Sequence, residues 1–417
     1  MLNKLFRQTA VPSEYRSNFL HLYLDISWYG VLSGSAINFL NIYAARLGAT
    51  GFQIGLIGAM SAMVSLLLAI PAGRWLQTQN TGRVIFWTSV VYRAGFFLFI
   101  LLPWFLDEKT QVVAIIILTF LMAIPLTPLG VGFNVLFAEA VPDRFRAHVA
   151  SIRNIMLSVT FMISSLVSGI ILENVAFPIG YQIVFGIGAL GAAMSSFHLY
   201  FIRPPQADSS TPLSQPKPDS LKVLLSPRSI LTSFRLDIWK TRFRKVLIAL
   251  GGFHLAQYLA IPIFPLYFVN ELNLNDDHIG VGTALFYLTV LLGSTQLGKL
   301  VHRTGNKNVT GWGVVGLAVY PFLLSQSTEV WHYYGISLFG GLVFAFVNGA
   351  FANYMLEHIP TSDRPPHLAW YNVILNAAIL IGSLGGPVIA DRIGLVSALM
   401  LFALFRLLAG VYILKWG

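Results

Sequence analysis

His21, Asp25 and Tyr29 recur at intervals of four inside the apolar stretch 18–45, and on a helix this spacing lines them along one face. An ionisable side chain in apolar surroundings is expensive, so it reads as functional and calls for a named partner. A carboxylate beside an imidazole can relay a proton, which suits coupling to a proton gradient or binding of a substrate. The competing assignment is a structural ion pair with Arg93, ten residues into the third apolar stretch at similar depth. A second group, His254, Gln257 and Tyr258, lies just before Pro262 and Pro265. Prolines that break a helix leave carbonyls free to bind a ligand or let it bend; a satisfied histidine beside an ordinary kink explains the same residues. Asn134 and Asn348 offer hydrogen bonds to a ligand or between helices. Tyr354, with Trp28, Trp370 and Tyr371, offers aromatic surface. Arg153 is close enough to the start of its apolar stretch to reach the interface, or to face an anionic ligand. Arg406, with no carboxylate at its level, is left to snorkel or to bond backbone carbonyls.

Enzyme chemistry has little support. The chain lacks G-x-x-x-x-G-K-[ST], H-E-x-x-H and G-x-S-x-G patterns. It has no Cys, hence no disulfide and no thiolate metal or redox site. No cofactor and no metal is expected, and ATP bound to this chain is not the energy source.

The elements that must position these residues follow from composition. Of 417 residues, 56% are hydrophobic and 11% charged, against about 25% charged in a soluble domain. That excess excludes a disordered chain, a coiled coil and an ordinary soluble enzyme. About 20 apolar residues cross a bilayer, and on that template six segments precede a polar stretch: 18–45, 52–76, 84–106, 111–140, 148–173 and 177–202. Six follow: 246–271, 278–301, 309–328, 330–358, 367–390 and 393–414. The predicted organisation is a polar tail (1–17), a six-helix bundle (18–202), a proline-rich linker (203–243) and a second bundle (244–417). Residues 229–242 read as a short amphipathic helix at the interface.

With an inside N-terminus, 22 of the 27 Lys and Arg lie inside, three outside (Arg46, Lys109, Arg392) and two within spans (Arg93, Arg406). The positive-inside rule then places both termini and the linker in the cytoplasm, and the net charge of +10 reports orientation rather than nucleic-acid binding. The halves also repeat. Gln53-Ile54-Gly55 returns as His278-Ile279-Gly280 and Gly73 as Gly298, both 225 residues on; Glu139-x-Val141-Pro142 returns as Glu357-x-Ile359-Pro360, 218 residues on.

Over essentially its whole length the chain resembles the major facilitator superfamily. The resemblance is carried by the loop after the second span of each half, where the family pattern is roughly G-x-L-x-D-R-x-G-R-K. The second half reads Gly298-Lys299-Leu300-Val301-His302-Arg303-Thr304-Gly305-Asn306-Lys307, with His302 for the acid. The first half keeps Gly73 and a basic flank, Arg74 and Arg83, but has Gln77 and Thr78 where Asp and Arg are expected. The resemblance implies a gating loop in which Arg303 locks one state by bonding helix carbonyls or Glu357 or Asp363. Glu139 and Asp143 would hold Arg74 or Arg83 likewise, with Arg144 and Arg364 as the basic residues after the fourth and tenth spans. The bland alternative is a set of interfacial cations. No Arg stands in the fourth span and no Gly-Pro in the fifth, where Gly169 lacks its proline, so the drug–proton exchange signature is absent.

The fold so implied is all-α: twelve transmembrane helices in two pseudo-symmetric six-helix bundles that rock about a cavity lined by the first, fourth, seventh and tenth spans. The implied activity is secondary active transport across the cytoplasmic membrane, of a small neutral, amphipathic or cationic molecule, with protons as a coupling partner and efflux preferred. Uptake of a nutrient by symport is the alternative within transport, and a non-transporting sensor or scaffold the alternative outside it. The lipid bilayer and the substrate are the expected partners, and the chain is expected to act as a monomer.

Overall fold

The computed structural model describes residues 13–203, 235–360 and 363–417. Among them, twelve long helices follow one another with short connections. Helix α1 is composite: Ser13–Leu32, a π-helical turn Ser33–Ile37, then Asn38–Arg46. The first bundle continues with α2 (Gly51–Gln77), α3 (Thr81–Phe105), α4 (Glu108–Ala140), α5 (Asp143–Asn174) and α6 (Ile179–Tyr200). In the second bundle α7 is again composite, with Phe243–Ala260, Ile263–Leu266 and a π-helical turn Tyr267–Glu271. Then come α8 (Asp276–Thr304), α9 (Asn306–Leu324), α10 (Val330–Glu357), α11 (Arg364–Ile393) and α12 (Leu395–Trp416). The all-α, twelve-helix architecture is the expected one.

Ten of these helices are by themselves long and apolar enough to cross a membrane. The other two are α1, which carries His21 and Asp25, and α9, which is only 19 residues long and opens on Asn306-Lys307-Asn308. Chain reversals are written locally. Thr50 and Gln53 form a reciprocal capping box at α2, and Asn80 caps α3. Gly305 (φ +82°) and Gly394 (φ +83°) join α8 to α9 and α11 to α12 in a left-handed conformation that strains any side-chain-bearing residue.

Two expectations change in detail. Helix α1 begins at Ser13, inside the predicted tail; residues 1–12 lie outside the described residues. So does 204–234, most of the predicted linker. Of the stretch 229–242, the described part is a 3₁₀ turn, Leu236–Lys240, and not an α-helix. It is docked against the second bundle. Ile238 is fully buried, Trp239 packs edge-on against Trp370, and Arg235 reaches both Asp237 (2.6 Å) and Asp363 (3.2 Å). One inserted apolar side chain and a shared guanidinium bind the turn to α11.

The end of the molecule that carries both described chain ends and the start of α7 is here the near end. The bundles meet through α2 with α11 and α5 with α8, and the last part of α1 touches Ile263–Leu266 of α7. The repeated Gly55 and Gly280 occupy these contacts. A Cβ on Gly55 would fall 2.1 Å from the Ser383 carbonyl oxygen of α11, and one on Gly280 2.8 Å from that of Ser165 on α5. Both contacts belong to the far half. Toward the near end the bundles part, and Ser151 and Asn154 of α5 and Ser294 and Gln296 of α8 are exposed.

Candidate functional site

Asp25 is buried (3% exposed) near the middle of the first bundle. Its Oδ2 accepts from both terminal nitrogens of Arg153 on α5 at 3.3 Å. Its Oδ1 accepts from Ser195 of α6 at 2.5 Å and lies 3.7 Å from Arg93 of α3. Four helices thus converge on one carboxylate. Arg153 also donates to the Leu22 carbonyl at 2.6 Å and lies over the Phe133 ring of α4. Arg93 donates to Ser89 (2.8 Å) and Ser196 (3.1 Å) and lies over the Tyr29 ring. Two guanidiniums against one carboxylate leave a formal surplus of one positive charge. Desolvating such a group is costly, and close opposite charge and hydrogen bonds offset that cost only in part.

The anticipated Asp25–Arg93 pair is present, but Arg153 makes the shorter contact. Its signal in the sequence was only an Arg one turn inside a span; that it turns inward to Asp25 is set by how α5 crosses α1. His21 does not bond Asp25. Helical side chains lean toward the N-terminus, and His21 faces α6, its Nδ1 3.0 Å from Nδ1 of His198. Antiparallel α1 and α6 therefore present two polar rungs, Asp25–Ser195 and His21–His198. Tyr29 forms a third level beneath Arg93.

The second bundle places its polar residues differently. His254 Nε2 lies 3.0 Å from the Tyr371 hydroxyl of α11; Gln257 and Tyr258 are half-buried. Arg406 is buried and donates to the carbonyls of Leu317 and Gln257, both at 3.3 Å, the backbone bonding open to it from sequence. Helix α7 breaks at Ile261–Pro262 as its prolines require. Asn134 and Asn348 are exposed in the near halves of α4 and α10. Tyr354 is corrected: it is fully buried in the second bundle's core, stacked edge-on against His358, because a large ring on the inward face of α10 packs against neighbouring helices.

Several residues expected to gate have partners other than those anticipated. Glu357 accepts from Asn306 Nδ2 at 2.7 Å, and Asp363 bonds Arg235. Asp143 pairs with Arg146 at 2.7 Å. Arg303, Arg364, Arg83 and Glu139 are exposed, and Arg144 covers the Phe145 ring. A Cβ on Gly298 would meet nothing within 4 Å, and one on Gly73 only Val131.

The ties between bundles lie at the far end, where sequence reasoning saw only outside charges. Arg46 donates to Asp276 (3.0 Å) and to the Leu274 carbonyl (2.6 Å). Tyr181 donates to the other oxygen of Asp276 at 2.7 Å, and Asn275 to Glu173 at 3.3 Å. Below them Phe161 of α5 stacks on Tyr287 of α8, centroids 3.9 Å apart. Nothing in the spacing of Arg46 and Asp276, 230 residues apart, announces this latch.

The family model described as Major Facilitator Superfamily matches residues 26–254 and 246–417. The chain is 23% identical over 288 residues to the cis,cis-muconate transport protein of Acinetobacter baylyi, covering 68% of this chain and 65% of that protein. It is 29% identical over 156 residues to multidrug resistance protein 1 of Bacillus subtilis, 37% of this chain and 39% of that protein. The chain thus spans about two-thirds of one relative's length and about two-fifths of the other's. In fold it is similar to the nucleoside transporter NupG, with a TM-score of 0.65 and 14% identity over 95% of this chain and 98% of that one.

Proposed function

Since this chain belongs to the major facilitator superfamily and is a multi-pass membrane transporter, we propose that it is a proton-coupled symporter for a small amphipathic organic anion. It works in the cytoplasmic membrane with both termini in the cytoplasm. The observation that carries this reading is the sharing of Asp25 between Arg93 and Arg153. With Asp25 ionised, Arg153 is satisfied internally. A proton on Asp25 removes the negative partner and leaves two guanidiniums facing a carbonyl, hydroxyls and rings. An entering carboxylate then replaces the lost charge in bidentate fashion. Proton and anion therefore favour each other's binding, and the coupling is reciprocal. Binding together is what symport requires.

This departs from the neutral or cationic substrate and the efflux expected from an apolar, aromatic cavity, because the charge surplus was not visible before the spans were packed. The muconate carried by one relative is itself a small dicarboxylate. The conformation supports the cycle: far end latched by Arg46–Asp276 and near end parted, with cytoplasmic termini, is the state that releases cargo inside. A second reading, efflux of amphipathic drugs, is favoured by the relative named for multidrug resistance.

Proteoliposomes loaded with a pH dye separate the two. Under an inward proton gradient, addition of small mono- and dicarboxylates outside should drive proton entry, and lipophilic cations should not. Proton movement evoked by cations alone would make efflux the correct reading; proton movement with neither would favour a scaffold.

A further inference from the structure

On the outer flank of the first bundle, α3 and α6 enclose a groove whose inner wall reaches Arg93 of the Asp25 site. Its deeper part, about 450 Å³, is lined by Val90, Ala94, Ala193 and Phe197, with Arg93 and Ser196 also contributing. A near-end pocket of about 910 Å³ carries Arg83, Arg203 and Glu139. Phe86 and Tyr200 line both, which makes them two parts of one groove. Its surroundings are apolar and outward: Val91 is 59%, Phe97 47% and Phe197 51% exposed, a surface made for acyl chains rather than water.

The mouth is built for an anion. Arg203 is held by buried Asn18, which donates to its carbonyl (2.7 Å) and accepts from its N–H (3.0 Å). Arg83 stands in the first turn of α3, at the positive end of that helix's dipole. Glu139 offsets one of the two guanidiniums and leaves a net positive mouth. Trp87 and Tyr200, both more than half exposed, supply the aromatic rim that favours headgroup depth. Arg93 lines the inner wall of the deeper part, and an apolar chain over it would keep water from the Asp25 pair. Ten residues separate Arg83 from Arg93, about 15 Å of helix, half of a bilayer core of about 30 Å.

We propose that this groove binds one acidic diacyl phospholipid of the near-end leaflet, its phosphate between Arg83 and Arg203 and one acyl chain along α3 and α6 over Arg93. The site is independent of the cargo and of the direction of transport. Native mass spectrometry of the full-length protein, titrated with phosphatidylglycerol, phosphatidylethanolamine or glycerol phosphate, tests it. Phosphatidylglycerol should bind at least 10-fold tighter than phosphatidylethanolamine, and glycerol phosphate should not compete. Arg83→Gln with Arg203→Gln should abolish the preference, while the charge-matched Arg242→Gln with Arg244→Gln should keep it. Ala94→Trp, at an exposed position, should block the adduct while leaving the protein monodisperse. Equal binding of the two lipids, a preference that survives loss of both arginines, or an adduct that survives Ala94→Trp would each overturn the proposal. Competition by glycerol phosphate would also overturn it, in favour of a free-phosphate site.

Discussion

Asp25 holds two guanidiniums at once, so its replacement has two separable consequences. Asp25→Asn keeps a hydrogen-bonding side chain and abolishes titration. Exchange of labelled carboxylate across proteoliposomes should persist, gradient-driven accumulation should vanish, and affinity should lose its pH dependence. Retained pH dependence in Asp25→Asn would move the coupling proton elsewhere, the His21–His198 pair being next in reach. Arg153→Gln should weaken carboxylate binding by about 10- to 100-fold, the worth of a charged hydrogen bond of about 1.5–3 kcal/mol, as read by isothermal titration. Asp25 was legible from sequence because an acid within a span needs a reason. Arg153 and Ser195 were not, because helix azimuth and crossing decide which face meets which.

At the scale of helices, the chain repeats its devices. Gly55 and Gly280 descend from the same repeated tripeptide and each lets the backbone of the opposite bundle come close. Gly55→Ala should force α2 from α11 at a cost of about 1–3 kcal/mol, and far-end accessibility of a single introduced cysteine should increase. Since this chain has no cysteine, such labels report without background. Helices α1 and α7 each contain a π-helical turn, an element often found at functional positions, and no spacing in the sequence marked either one. The docked turn Leu236–Lys240 depends partly on Asp237, whose carboxyl is held below the usual carboxylate value chiefly by its hydrogen bond from Arg235. A depressed folded value stabilises above the unfolded value of about 3.9 and loses that contribution as pH falls through the lower one. At neutral pH, Asp237→Asn should therefore speed amide exchange across this turn; unchanged exchange would assign its docking to Ile238 and Trp239 alone.

For the whole molecule the relevant quantity is the balance between far-closed and near-closed states. The partly buried Arg46–Asp276 pair contributes of the order of 1 kcal/mol, so Arg46→Gln should shift the population several-fold toward the far-open state, seen as a change in spin-label distances across the far end. Arg303→Ala acts on the opposite clamp. It should leave this conformation intact and depopulate the near-closed one, raising near-end cysteine labelling in the presence of cargo; an unchanged pattern would make Arg303 an interfacial cation only.

Twelve apolar runs, their division into two sixes, the internal repeat and an acid inside the first span are properties of local composition, and the sequence by itself determined them. Each depends only on how many neighbouring residues avoid water. The charge surplus around Asp25, the far-end latch and the burial of Tyr354 were decided by tertiary structure alone. They depend on which faces of distant helices are pressed together, and residues 128 or 230 positions apart have no local signal by which to find each other.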